Sequence, residues 1–130
     1  MSLINFETTE DDSVELGTLQ SGAEVNVTIV NIDEKDKGNG PYLVIRLEPE
    51  DISLKDIVHT IMLPREGDRP KQAKNKRTAW RRFLTAFGID PDEPVEVEQI
   101  ISLTGWCTVT ETDSPEYGKG MKIATWIQPK

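Results

Sequence analysis

The chain of 130 residues has one cysteine, Cys107, and one histidine, His59. A lone cysteine rules out an internal disulfide and fits a reducing, intracellular setting. One cysteine with one histidine also rules out a structural zinc site of the usual Cys/His kind. No run of consecutive apolar residues is long enough for a transmembrane helix. The start, MSLINFETTEDDSVEL, lacks a basic stretch followed by an apolar block, so it does not read as a secretory signal. Catalytic groupings are missing too. His59 falls mid-strand, and nothing pairs it with Cys107 or a serine. GNGP, at residues 38–41, is a turn and lacks the G-x-x-x-x-G-K-[ST] pattern of a phosphate loop. The carboxylates are scattered and form no motif. The sequence therefore predicts no enzyme, no cofactor and no metal site.

Positive charge is scarce except in one place. Net charge is −8, which taken whole argues against a nucleic-acid partner. The distribution changes that reading. Residues 65–82 hold Arg65, Arg69, Lys71, Lys74, Lys76, Arg77, Arg81 and Arg82 against only Glu66 and Asp68. Both flanking segments are acidic. A local field of this kind can hold an anion that the molecule as a whole repels. The plain alternative is a solvated helix face.

The length suits one domain with a real core. Residues 1–20 are acidic and poor in apolar positions, and they read as a loose arm with Phe6 or Leu16 against the core. Residues 21–130 read as a single domain. EVNVTIVNID, from Glu24, alternates Val25, Val27 and Ile29 with polar neighbours, the mark of a half-buried strand. Gly38, Asn39, Gly40 and Pro41 make a turn. YLVIRLE returns with Leu43, Ile45 and Leu47 inward and Tyr42, Val44 and Arg46 outward. DIVHTIMLP is a third strand. The stretch from Asp68 to Phe87 is a helix, with Asp68 as N-cap and Pro70 in the first turn. Ala73, Trp80, Phe83, Leu84 and Phe87 form its apolar stripe, with Lys76 at the edge. Gly88 and Ile89 supply its stop. DEPVEVEQI reads as either a short helix or an edge segment. SLTGWCTVT is a strand with Leu103, Gly105, Cys107 and Val109 on one face. ETDSPEYGKG is a hairpin loop. MKIATWIQP is the last strand, with Ile123, Thr125 and Ile127 opposite Lys122, Ala124 and Trp126. Three strands, a helix and two strands is the order of an OB-fold-like, five-stranded β-barrel with one α-helix between strands 3 and 4. Gly105 suits a barrel bend.

Sorting each strand by its apolar face leaves Tyr42, Arg46, Trp106, Lys122 and Trp126 on the other side. Loops add Lys35, Lys37, Tyr117 and Lys119. Bases of a single strand stack on flat rings while cations track the phosphates, so this mixture predicts a surface for single-stranded DNA. The alternative for Trp106 and Trp126 is packing beneath the helix. Lys74, Arg77 and Arg81, on the helix's free face, are further candidates for phosphate contacts.

Several pieces in order carry a family resemblance: INFETTEDDSVELGTLQSGAEVNVTIVNIDEK, GNGPYLVIRLE, AWRRFLTAFGI and EYGKGMKIATWIQP. Together the chain resembles the bacteriophage single-stranded-DNA-binding proteins first catalogued as a domain of unknown function. The resemblance implies an OB-fold and sequence-tolerant binding of single-stranded DNA. It implies a role in phage replication or recombination in the host cytoplasm, with replication or recombination proteins as partners. Tyr42, the AWRRFLTAFGI helix and the EYGKG hairpin are the matching positions. Bacterial single-stranded-DNA-binding proteins usually end in an acidic tail that recruits partners. WIQPK is not one, and the acidic stretch Glu7–Glu15 is the candidate substitute for it. The other reading is a non-catalytic module for protein–protein interaction or homo-oligomer formation, in which the basic helix face docks the acidic arm of the same or a neighbouring chain.

Overall fold

The computed structural model describes residues 16–36, 38, 40–116 and 118–128. Five antiparallel strands form one sheet: β1 (Glu24–Asp36), β2 (Pro41–Pro49), β3 (Ile57–Met62), β4 (Thr104–Ser114) and β5 (Gly118–Trp126). Helix α1 (Pro70–Ala86) lies between β3 and β4, followed by the single turn α2 (Val97–Ile100). The protein is thus mainly β, with its one long helix where the sequence places it. DEPVEVEQI resolves as a loop ending in α2.

The order across the sheet is β3-β2-β1-β4-β5. β3 and β5 are its two edges. They share no strand pairing among the described residues, so the sheet is open at this seam. It nonetheless curls far enough for His59 of β3 and Trp126 of β5 to meet edge-on at 5.4 Å.

The alternation read from the sequence fills the core. Val27, Ile29, Ile45, Leu47, Ile57, Cys107 and Val109 are all fully enclosed. Two bulges interrupt it. Ile29 pairs with Leu47 but Asn31 pairs with Arg46, so Val30 is extra and Ile32 returns inward. Thr108 pairs with Thr125 but Val109 pairs with Ile123, which leaves Ala124 extra. One added residue reverses every side chain beyond it. Trp126, expected opposite Ile123, therefore lies on the same inner face, paired with the buried Cys107.

Helix α1 is amphipathic as expected. Phe83, Leu84 and Ala86 are buried, with Trp80 partly so. Its N-cap is Arg69, not Asp68. The Gln72 side chain reaches back to accept from the Arg69 N–H at 3.0 Å. Asp68 turns the other way and accepts from the Arg65 N–H at 2.9 Å and from Lys76 Nζ at 3.0 Å. These bonds, the backbone one foremost, hold its carboxyl below the usual carboxylate range. Lys76 thus keeps a mostly covered stem and a paired head. At the other end the Gly88 N–H bonds to Thr85 O and the Ile89 N–H to Leu84 O, a two-bond stop with Gly88 at φ 77°.

Gly105 has a packing role that its sequence position did not announce. A Cβ there would lie 2.9 Å from the Ala86 carbonyl oxygen and 3.1 Å from two Phe87 ring carbons. Its bareness lets the end of α1 press onto β4. The β4–β5 hairpin is also longer than read. Its strands run to Ser114 and from Gly118, so much of the stretch read as loop is strand.

The last residues of the stretch read as an arm are tied to the domain. Gly17 bonds to Ser53 and Lys55 through backbone groups, and Leu19 packs against the core. Residues 1–15, with Phe6 and the acidic stretch, lie outside the described residues. No helix among the described residues is long and apolar enough to cross a membrane.

Candidate nucleic-acid interface

The outer face of the sheet carries four of the five strand candidates. Tyr42 and Arg46 project from β2, Trp106 from β4 and Lys122 from β5. Cross-strand pairing orders them. Tyr42 is paired with Lys35 and Met62, Arg46 with Asn31 and Val58, Trp106 with Asn26, and Lys122 with Thr110. Asn26 and Lys35 lie nine residues apart along β1, a path of roughly 30 Å along the strand at about 3.3 Å per residue. The face therefore has two ends and not one cluster.

At the first end Trp106 is 47% exposed, the most open of the large aromatics among the described residues. Threonines flank it along β4, and Thr108 shares a 2.6 Å hydrogen bond with Thr125. Carboxylates approach it from one side. Glu24, Glu50 and Asp51 line the shallow groove that runs from Trp106 to Leu54. On its other side a second groove, of about 310 Å³, holds Asn26, Thr104, Phe87 and Gln128 and no charged residue. At the second end Tyr42 is partly covered, Arg46 is exposed, and Val58 and Met62 add exposed apolar surface.

Trp126 is not on this face. It packs edge-on against Phe83 at 5.4 Å, Phe87 at 5.3 Å and His59 at 5.4 Å. Of the two readings open for the tryptophans, Trp106 takes the exposed one and Trp126 packs under the helix. Its ring still borders a groove at the β3–β5 seam, of about 440 Å³, with His59, Arg82, Thr125 and Gln128.

The helix candidates divide. Lys74 and Arg77 are exposed, with no ion pair among the described residues. Arg81 is bound to Asp92 at 2.7 Å, and this bond, with the charge of Asp92, raises its pKa. That partner removes it from the first rank of phosphate ligands. Lys119 is exposed at the β4–β5 hairpin, where its carbonyl accepts from Lys55 Nζ. Lys37 and Tyr117 lie outside the described residues.

Sequence reasoning missed four residues. Lys55 joins Lys119 through that bond. His59, Arg82 and Gln128 meet at the seam. His59 had a signal, because it alternates with Ile57 and Ile61 and so belongs to the inner face of β3. Its burial pushes the imidazole pKa down, so the ring is neutral at pH 7. The meeting with Arg82 and Gln128 had none, since it depends on how the sheet curls. Among the described residues no three His, Cys, Asp or Glu side chains gather as metal ligands.

No protein-family model matches the chain, and no curated protein matches it in sequence.

Proposed function

We propose that the protein binds single-stranded DNA without catalysis and with little sequence preference. Trp106 carries this reading. It is a large aromatic held open on the polar face of a rigid sheet, whereas the other two tryptophans are packed. Burying it there would stabilise the fold further, so its exposure is best explained by a flat partner. Base–aromatic stacking contributes roughly 1–3 kcal/mol per base whatever the base is, which makes the contact tolerant of sequence. Tyr42 offers a second ring at the far end, while Arg46 and Lys122 supply positive charge for phosphates. The carboxylates on one side of Trp106 turn phosphates away from that side and disfavour a duplex, which presents two charged backbones. A role in phage replication or recombination, as the family resemblance implies, is part of the proposal.

The test is charge reversal on the outer face. Arg46→Glu and Lys122→Glu lower affinity for oligothymidylate and flatten its dependence on salt, because each removed phosphate contact takes about one counterion from the slope. Unchanged affinity and slope in both variants would remove the outer face from the site.

A further inference from the structure

The seam between β3 and β5 is the place where the sheet fails to close. Helix α1 runs beside it. The resulting groove, of about 440 Å³, lies within the range of small-ligand sites, about 300–1,000 Å³. Its floor is aromatic, formed by Trp126 and His59 in edge-on contact. Arg82, Thr125 and Gln128 complete its polar lining. No carboxylate lines it, although the chain has 23 Asp and Glu residues against 15 Lys and Arg. The groove beside Trp106 also lacks carboxylates, but the seam groove adds a cation, Arg82, to its lining.

Gln128 links the groove to Trp106. Its side chain donates to the Arg82 carbonyl at 3.3 Å and also lines the uncharged groove beside Trp106. The preceding residue, Ile127, donates its N–H to the Trp106 carbonyl at 2.9 Å. The two grooves are therefore neighbours across one residue, on the side of Trp106 away from Glu24, Glu50 and Asp51. Lys71, Asn75, Thr78 and Arg82 repeat at helical spacing, which continues a polar, cationic line along α1 beyond the groove.

We propose that the seam groove takes one nucleotide of the bound single strand, its base against Trp126 and His59 and its phosphate on Arg82, the strand then crossing Gln128 to Trp106. This rests on the single-stranded-DNA reading and adds a second station, reached around the end of β5. The helix end that lines the Trp106 groove presents carbonyl groups, so that groove suits a base and not a phosphate. At the seam the neutral His59 ring offers one donor and one acceptor to a base edge. Arg82 offers a planar fork of donors to the phosphate oxygens.

The protein is labelled with 5-fluorotryptophan, which gives one fluorine resonance for each of its three tryptophans. Each is assigned by replacing one tryptophan in turn with phenylalanine. Oligothymidylate of about ten nucleotides, within the span of one such fold, is then added to the full chain. The resonances of Trp126 and Trp106 move together and that of Trp80 stays. In Arg82→Glu, affinity falls roughly tenfold, as for a lost charge-assisted contact. At saturating DNA the Trp106 shift persists while the Trp126 shift is lost. A Trp106 shift without a Trp126 shift in the unaltered protein overturns the seam site and leaves the DNA reading standing. A Trp126 shift that survives in Arg82→Glu also overturns it. No shift at any tryptophan, with no retardation in a gel, defeats the DNA reading itself.

Discussion

Replacing each of two tryptophans with alanine separates their roles by stability alone. Trp126 touches three rings, Phe83, Phe87 and His59, at 5.3–5.4 Å. Truncating a buried tryptophan costs about 3–5 kcal/mol through lost transfer energy and the cavity left behind. Trp126 keeps some exposure at the seam, so Trp126→Ala costs roughly 2–4 kcal/mol. In a chain of this size each kcal/mol moves Tm by about 3–5 °C, so the melting point falls by roughly 10 °C. Trp106 is 47% exposed, and Trp106→Ala costs roughly 1–2 kcal/mol. Urea unfolding followed by circular dichroism measures both without relying on tryptophan emission. The contrast depends on the Ala124 bulge. Without it Trp126 would share the outer face with Trp106, and the two costs would be alike. Equal costs, or a larger one for Trp106→Ala, would refute the register given for β5.

Three further outcomes follow from single contacts. Gly105→Ala places a methyl against the Ala86 carbonyl and the Phe87 ring, so it costs about 1–3 kcal/mol by overpacking, read as a lower urea midpoint. Asp68 has its folded pKa held below the ordinary carboxylate value, so its contribution is present above pH 4 and lost as pH falls through the folded value. The Tm gap between the native protein and Asp68→Asn is therefore constant from pH 5 to 7 and closes in acid; a gap that widens in acid contradicts the bonds to Arg65 and Lys76. The Cys107 thiol is fully enclosed and pushed up to about 12 by burial. A thiol reagent at pH 8 labels it at the rate of unfolding, and rapid labelling of the folded protein would place it elsewhere.

The sequence made much of the fold legible because period and punctuation agree there. Valine and isoleucine alternation marked β1 and β2, the Gly38–Pro41 turn set the first hairpin, and Gly88 with Ile89 stopped the helix. The bulges were hidden for a physical reason. Around Ala124 both faces of β5 carry apolar residues, so an alternation runs through the strand whether or not a residue is added. Trp126 was misplaced on that account, although Trp106, on a strand without such a shift before it, was placed correctly. Asp68 was misassigned because its carboxylate is taken up by the Arg65 N–H and by Lys76, eight residues on, which only the folded helix brings near. Gly105 announced itself as a special position, but its reason is the approach of Phe87 from a distant element. The seam was beyond reach for the same cause. Which of two sheet edges meet, and what lines the gap, depends on curl and on helix packing, and neither leaves a periodic trace.

The central claim is that an acidic protein offers a single strand, and not a duplex, a surface of exposed rings and local positive charge. The most direct measurement is intrinsic tryptophan fluorescence titrated with oligothymidylate at low and moderate salt, beside a duplex of equal length. The account predicts quenching by the single strand alone, weakening steeply as salt rises. Equal quenching by the duplex, or none by either nucleic acid together with a blank gel-shift assay, would contradict it.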